Sequence, residues 1–225
     1  MYKAYRFRLY PNDSQRTLIH KTFGCVRFVY NYFLDKCKKN GYIKAYDMCK
    51  ELKNLQEEYL FLKEVVSCSL RCSIFNLEDS YSNFFAKRSG YPCFKNKFSK
   101  QSYRTNCIRR SNKSSNYSNI AIFKKNSQIK LPKLGLVNIK GYRNLESING
   151  KIINATIERE CTGKYYVSVV VEETEIVKSK KIPTSIVGID LGVKDLVITS
   201  EGKKYSNPKE LLKREKQLKR LQRKL

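Results

Sequence analysis

The sequence predicts an α+β protein: an antiparallel β-barrel interrupted by an inserted helical bundle, followed by the first strands and helix of a second β unit. Three observations carry this. The opening MYKAYRFRLYP alternates Tyr5, Phe7 and Leu9 with Arg6 and Arg8, the period of a strand with one buried face. Three later segments repeat apolar residues at helical spacing. Beyond Asn119 come short alternating runs punctuated by Pro132, Gly135, Gly141, Gly150 and Gly163, the turn chemistry of a small sheet. The first strand has no partner nearby in sequence, so it is expected to pair with that later sheet, making the helices an insertion.

Pro11 stops the first strand, and Asn12, Asp13 and Ser14 offer helix N-caps. Leu18, Ile19, Phe23, Val26, Tyr30, Phe33 and Cys37 then form one amphipathic stripe until Gly41 closes it. A second helix centres on Met48, Leu52, Leu55 and Tyr59; a third opens near Ser67, runs through Leu70, Ile74, Leu77, Tyr81 and Phe84, and ends before Gly90. SNKSSNYSN, from Ser111 to Asn119, is a polar, core-poor connector. NIAIFKK, QIKL, LVNIK, KIINATIERE and KYYVSVVVEE supply the later strands, with CTGKYY as a hairpin turn between the last two. After IVKSKKIPTS, a linker, IVGIDL and LVITS read as strands, KKYSN as a third after a Glu201-Gly202 turn, and PKELLKREKQLKRLQRKL as a helix with Pro208 in its first turn. Leucines 211, 218, 221 and 225 mark its seam. The chain ends inside that helix, so this second unit is expected to be incomplete.

The formal charge is +26, from 46 Lys and Arg against 20 Asp and Glu. Such a surface repels itself unless it meets a polyanion, and the phosphate backbone of nucleic acid is the commonest one. No long uncharged apolar run or leader-like segment points to a membrane, so a cytoplasmic protein is expected. Eight cysteines in a chain of this length are read as reduced thiols. With no C-x-x-C and one histidine, His20, a zinc site is not expected, and Cys68 and Cys72 are read as small packing residues.

GYPCFKNKFSKQSYRTN interleaves Tyr91, Phe94, Phe98 and Tyr103 with Lys95, Lys97, Lys100 and Arg104. Aromatic faces can stack on bases while adjacent cations hold phosphates. The competing account is a basic loop anchored by its aromatics in its own core; the overall charge tips the reading towards binding.

The stretch SIVGIDLGVKDLVITSEGKKYSN places one acid, Asp190, in an apolar strand. Burying a carboxylate requires compensation by hydrogen bonds or a divalent cation, and hard oxygens suit magnesium or manganese. Strand, Asp, Gly192 and a hairpin is how ribonuclease H-like nucleases present a first metal ligand, although two-metal hydrolysis needs further carboxylates. Two alternatives stay open: the phosphate loop of actin-like ATPases, and an Asp that caps a turn. Asp195 is read as a hairpin residue.

The motifs KAYRFRLYPNDSQ, TFGCVRFVYNYFL, GYPCFKNKFSKQSYRTN, IKLPKLG, GKYYVSVVVE and VGIDLGVKDLVITSEGKKYSNP together resemble the N-terminal part of the OrfB/TnpB proteins of insertion sequences, RNA-guided DNA endonucleases related to type V CRISPR effectors. The resemblance implies a wedge-type β-barrel over 1–11 and 119–176, an inserted helical recognition domain over 12–118, a linker over 177–185 and the start of a RuvC nuclease domain over 186–225. It implies that Asp190 is the first of three metal-binding acids, with Mg2+ or Mn2+ as the family's cofactor. It also implies nucleic-acid contacts from Asn31, Arg71, Tyr91, Phe94, Lys95, Lys97, Tyr103 and Arg104, with a guide RNA derived from the element's end and a double-stranded DNA target as partners. Arg71 and Cys72 stand where relatives commonly carry paired glutamines, and Cys93 where a lysine is usual.

The expected function is therefore that of a TnpB-like nucleic-acid-binding protein, cut short of two catalytic acids and the zinc ribbon. On its own the chain is expected to be inactive as a nuclease and to bind metal weakly. The alternative is a non-catalytic RNA- or DNA-binding remnant acting as a repressor or as half of a split protein.

Overall fold

The computed structural model describes residues 1–112, 115–141, 145, 148, 150–173 and 185–223, the side chains of 109–112 and 115–117 excepted. They belong to two units, Met1–Glu175 and Ile176–Leu225. The linker expected over 177–185 lies, apart from Ser185, outside the described residues, as do 174–176 and Leu225.

In the first unit, β1 (Tyr2–Tyr10) is followed by α1 (Asp13–Asn40), α2 (Ala45–Glu58), a 3-10 turn (Leu60–Lys63) and α3 (Ser67–Phe85). Then come β2 (Gln101–Asn106), β3 (Arg109–Asn112), β4 (Ser115–Ser118), β5 (Ala121–Phe123), β6 (Gln128–Leu131), β7 (Gly135–Lys140), β8 (Lys151–Arg159) and β9 (Tyr165–Glu172). Seven strands form one antiparallel sheet in the order β2-β8-β9-β1-β7-β6-β5. β1 sits inside it: Tyr2 to Leu9 pair with Glu172 to Tyr165 on one side, and Arg8 to Tyr10 with Lys140 to Asn138 on the other. The described pairings leave β2 and β5 as the two ends, so the observed form is a large antiparallel sheet rather than a closed barrel.

Strand alternation turns Tyr5, Phe7 and Leu9, Ala155 and Ile157, and Val167, Val169 and Val171 to one buried face. That face joins the buried stripes of the helices, including Ile19, Phe23, Phe33 and Leu34 of α1, Met48 and Leu52 of α2, and Leu70, Ile74 and Leu77 of α3, in one core. Fully burying each such side chain contributes roughly 1.5–3 kcal/mol.

α1 starts where its cap residues dictate. Asn12 Oδ1 accepts from the Gln15 amide at 2.8 Å while Gln15 Oε1 accepts from the Asn12 amide at 3.0 Å, a capping box worth about 1 kcal/mol. The Gln15 side-chain amide also donates to the carbonyls of Leu134 and Leu136, so the helix start is tied to the turn between β6 and β7. Lys133 in that turn donates to the carbonyls of Lys63, Glu64 and Val65 at 2.7, 3.0 and 2.9 Å, gripping the entrance to α3. Gly41, at φ 84°, ends α1 in a conformation that side-chain-bearing residues rarely adopt.

Two segments differ from the sequence expectation. QSYRTN, read as part of a basic loop of the helical insertion, is strand β2 paired with β8 from Gln101↔Arg159 to Asn106↔Asn154. Its inward positions are Tyr103 and Thr105, and a single apolar residue leaves almost no alternation to read. The polar connector holds the hairpin β3–β4, whose pairing of Arg109 with Ser118 through Asn112 with Ser115 rests on backbone bonds.

In the second unit, β10 (Ile189–Leu191), β11 (Asp195–Thr199) and β12 (Lys204–Ser206) form a three-stranded antiparallel sheet, followed by α4 (Glu210–Gln222). The helix begins two residues after Pro208, because Lys209 is left-handed at φ 51° and its amide donates to Asn207 Oδ1 at 2.9 Å. All eight cysteines are free. Among the described residues no helix is long and apolar enough to cross a membrane.

Candidate nucleic-acid interface

The segment between α3 and β2 is held against α1 by one side chain. Asn31 Nδ2 donates to the Lys95 carbonyl and Asn31 Oδ1 accepts from the Lys95 amide, both at 2.8 Å, imitating a strand pairing. Lys95 then lays its ammonium 3.8 Å from the centroid of the Tyr30 ring, half-buried, and desolvation lowers its pKa. Asn96 Oδ1 accepts from the amides of Phe98 and Ser99 at 2.8 and 2.9 Å, and Gln101 donates to the carbonyls of Lys97 and Ser99. These bonds hold a tight turn that exposes Lys97, Phe98 and Lys100 among its side chains. Phe98 is 86% exposed.

Beneath this turn runs a polar cleft between α1, α3 and β2, with Arg27, Lys95, Lys100 and Arg104 on its walls and Ser73 and Asn76 on the α3 side. Arg71 and Arg104 are exposed, on α3 and β2. Lys100 also meets the carboxylate of Glu158 at 2.9 Å.

The eight candidate contacts separate. Lys97, Arg104 and Arg71 are exposed cations, and Tyr91 and Phe94 are exposed rings, 41% and 48%. Tyr103 is not a stacking surface: it is 7% exposed, its ring edge-on to Phe23 at 5.7 Å, and burial raises its pKa. Asn31 and Lys95 are engaged with each other's segments, so their first role is to position the turn. Arg27, Lys100 and Phe98 complete the surface; Arg27 is hidden from sequence reading because it sits in an apolar helical run.

Cys68 and Cys72 fasten α3 to β2. Cys68 Sγ accepts from the Asn106 amide at 3.4 Å and Cys72 donates to Asn106 Oδ1 at 3.8 Å. The neighbouring Cys72 thiol lowers the pKa of Cys68, and the pKa of Cys72 is itself raised by Cys68 and by burial.

In the second unit Asp190 pairs with Ile198 across β10–β11 and is exposed, as is every residue of β10, so it is not the buried acid its apolar neighbours suggest. Gly192 is required at the turn: a Cβ there would lie 2.9 Å from the Asp195 carbonyl oxygen. Among the described residues no three His, Cys, Asp or Glu side chains converge as a metal site. Asp190 by itself does not supply the several oxygen ligands a divalent cation takes.

A large antiparallel sheet, a helical insertion bearing a basic cleft and a strand-borne acid on a small second sheet define an α+β protein of strongly basic charge. Residues 1–42 match the OrfB/IS605 helix-turn-helix domain, and 167–225 match the family described as "Probable transposase", OrfB/IS605. The chain is 32% identical over 216 residues to a protein of Streptomyces pristinaespiralis named "Putative RNA-guided DNA endonuclease", covering 92% of this chain and 50% of that one. It is 32% identical over 231 residues to "Putative RNA-guided DNA endonuclease InsQ" of Escherichia coli, covering 99% and 53%. A CRISPR-Cas12f chain in a ternary complex overlays loosely, with a TM-score of 0.41 at 13% identity over 93% of this chain and 51% of that one. The chain belongs to the OrfB family of insertion-sequence transposases, and it spans about half the length of the curated relatives it matches.

Proposed function

We propose that this chain is the nucleic-acid-holding portion of an RNA-guided DNA endonuclease, with the helical insertion and sheet gripping guide RNA and target DNA and Asp190 contributing one acid to a RuvC-type site. The observation that carries the reading is the Asn31 clamp on the segment that carries Lys97 and Lys100, beside the cleft whose walls include Arg27, Lys100 and Arg104. The names of the curated relatives supply the partners, RNA and DNA. In this reading 1–11 and 119–176 form a curled, barrel-like wedge, 12–118 the recognition insertion with β2 lent to the sheet, and 186–225 the opening of the nuclease domain. The setting is the cytoplasm, and the cation Mg2+ or Mn2+.

Binding by charge has a measurable slope. Replacing Lys97, Lys100 and Arg104 together by Ala is expected to weaken binding to both RNA and duplex DNA and to reduce the salt slope by about 2–3. Filter binding across a salt series checks this, with the thermal melt as a control for folding. Unchanged affinity would displace the interface. The purified 225-residue chain is expected to cut neither nucleic acid with Mg2+ present, since one acid cannot hold the metal pair. Cleavage lost in Asp190→Ala would overturn that expectation.

A further inference from the structure

Where α1 and α3 both end, a second surface lies apart from the cleft's walls. Tyr42, Tyr81, Phe84, Phe85 and Tyr91 form a continuous ring cluster, neighbouring centroids lying 5.2–6.0 Å apart. Tyr81, 2% exposed, is its root, with its hydroxyl 2.9 Å from that of Tyr91. The rings above it face solvent: Tyr42 is 42% exposed, Phe85 58%, Tyr91 41%, and Phe94 beside them 48%. Contiguous exposed apolar surface rimmed by polar residues marks contact sites, whereas singly scattered apolar residues need no explanation.

Charge chooses the occupant. Lys38 holds its ammonium 4.1 Å from the centroid of Phe94 and 5.8 Å from that of Tyr91, and Lys87 and Arg88 are exposed just past α3. The nearby acids are engaged: Asp35 by Lys39 at 2.7 Å, and Glu78 by the Ala45 amide at 3.0 Å. An apolar protein partner would have to desolvate these cations. A single strand offers each element its complement, π-faces for the rings and phosphates for the ammonium groups.

We propose that the surface formed by Tyr42, Phe85, Tyr91 and Phe94 is a stacking platform for unpaired nucleobases, with Lys38, Lys87 and Arg88 on the adjoining phosphates. The proposal rests on the nucleic-acid reading above and adds a preference for unpaired over duplex segments. Duplex bases are already stacked and cannot use it.

Labelled oligo(U), oligo(dT) and a duplex of equal length are titrated against the full chain and Phe85→Ala/Phe94→Ala. Both residues are exposed, so the melting temperature is expected to hold. The double variant should lose about tenfold or more in affinity for the single strands, with the salt slope and duplex affinity unchanged. The two single strands separate RNA from DNA preference. The chain has no tryptophan, so Phe94→Trp supplies a lone reporter, expected to retain binding and to be quenched by oligo(U) but not by duplex. Equal losses on single strand and duplex, no loss on either, or an unquenched tryptophan overturns the platform while leaving charge-driven binding in place. A parent chain that binds neither form overturns the nucleic-acid reading as well.

Discussion

The seven-stranded sheet and the three-stranded sheet use similar apolar strands and reach opposite outcomes. In β9 the alternating Tyr165, Val167, Val169 and Val171 are all buried, packed on residues distant in sequence. In β10 and the turn after it, Ile189, Leu191 and Val193 are 63%, 75% and 89% exposed, and every ladder contact is local. An apolar run therefore marks a strand whether its side chains end up buried, as in β9, or exposed, as in β10. The first unit is held by burial, the second by hairpin hydrogen bonds and turns such as Gly192.

Core truncation should separate the two units most strongly. Phe7→Ala in the first unit is expected to cost about 3–5 kcal/mol in urea unfolding, whereas Leu191→Ala should stay within about 0.5 kcal/mol. Comparable losses would mean that the second sheet is buried in solution. Next in size is Gly150, at φ 144°, where a Cβ would lie 2.3 Å from the Glu172 carbonyl oxygen. Gly150→Ala should cost on the order of 1–3 kcal/mol through strain at the β8–β9 pair, read as a drop in the first unit's melt.

A pH-dependent test follows from Glu173. Hydrogen bonds from Lys3 and then Tyr5 hold its carboxyl below the ordinary value of 4.5. The fold therefore favours the ionised form: this contribution is present above pH 4.5 and is lost as the pH falls through the lowered value. Glu173→Gln should flatten the acid limb of stability there while leaving the second unit's signal unmoved. The smallest effect belongs to α4, where Lys219 meets Glu215 at 2.6 Å four residues away. Lys219→Ala should reduce helicity in circular dichroism by an amount equivalent to about 0.3–0.5 kcal/mol, and high salt should erase the difference.

The helices were legible because their apolar stripes repeat over several turns, and α1's two ends are written in Asn12, Gln15 and Gly41. The sheet segments from β5 to β9 were legible through alternation and glycine turns. β2 was not, since Thr105 and Arg104 carry no apolar signal and only the backbone of β8 makes them a strand. In the basic segment, composition points to cations that the fold leaves exposed but does not distinguish Tyr103, because an aromatic there reads the same whether it faces solvent or core. Arg27 was missed for the converse reason, and Asp190 was read as buried because sequence neighbours do not reveal exposure.

The position of β1 has a consequence in time. β1 precedes every other strand of its sheet in the sequence yet lies inside that sheet, and its longer partner, Tyr165–Glu172, comes about 160 residues later. At translation rates of about 5–20 residues per second, the partner β9 follows β1 by roughly 8–30 seconds, and β7, on the other edge, by somewhat less. During that interval α1 to α3 can already form on local contacts. Charged side chains on an open strand edge oppose edge-to-edge association, so Arg6 and Arg8 have a use on that strand before Arg6 meets Glu158 and Glu160.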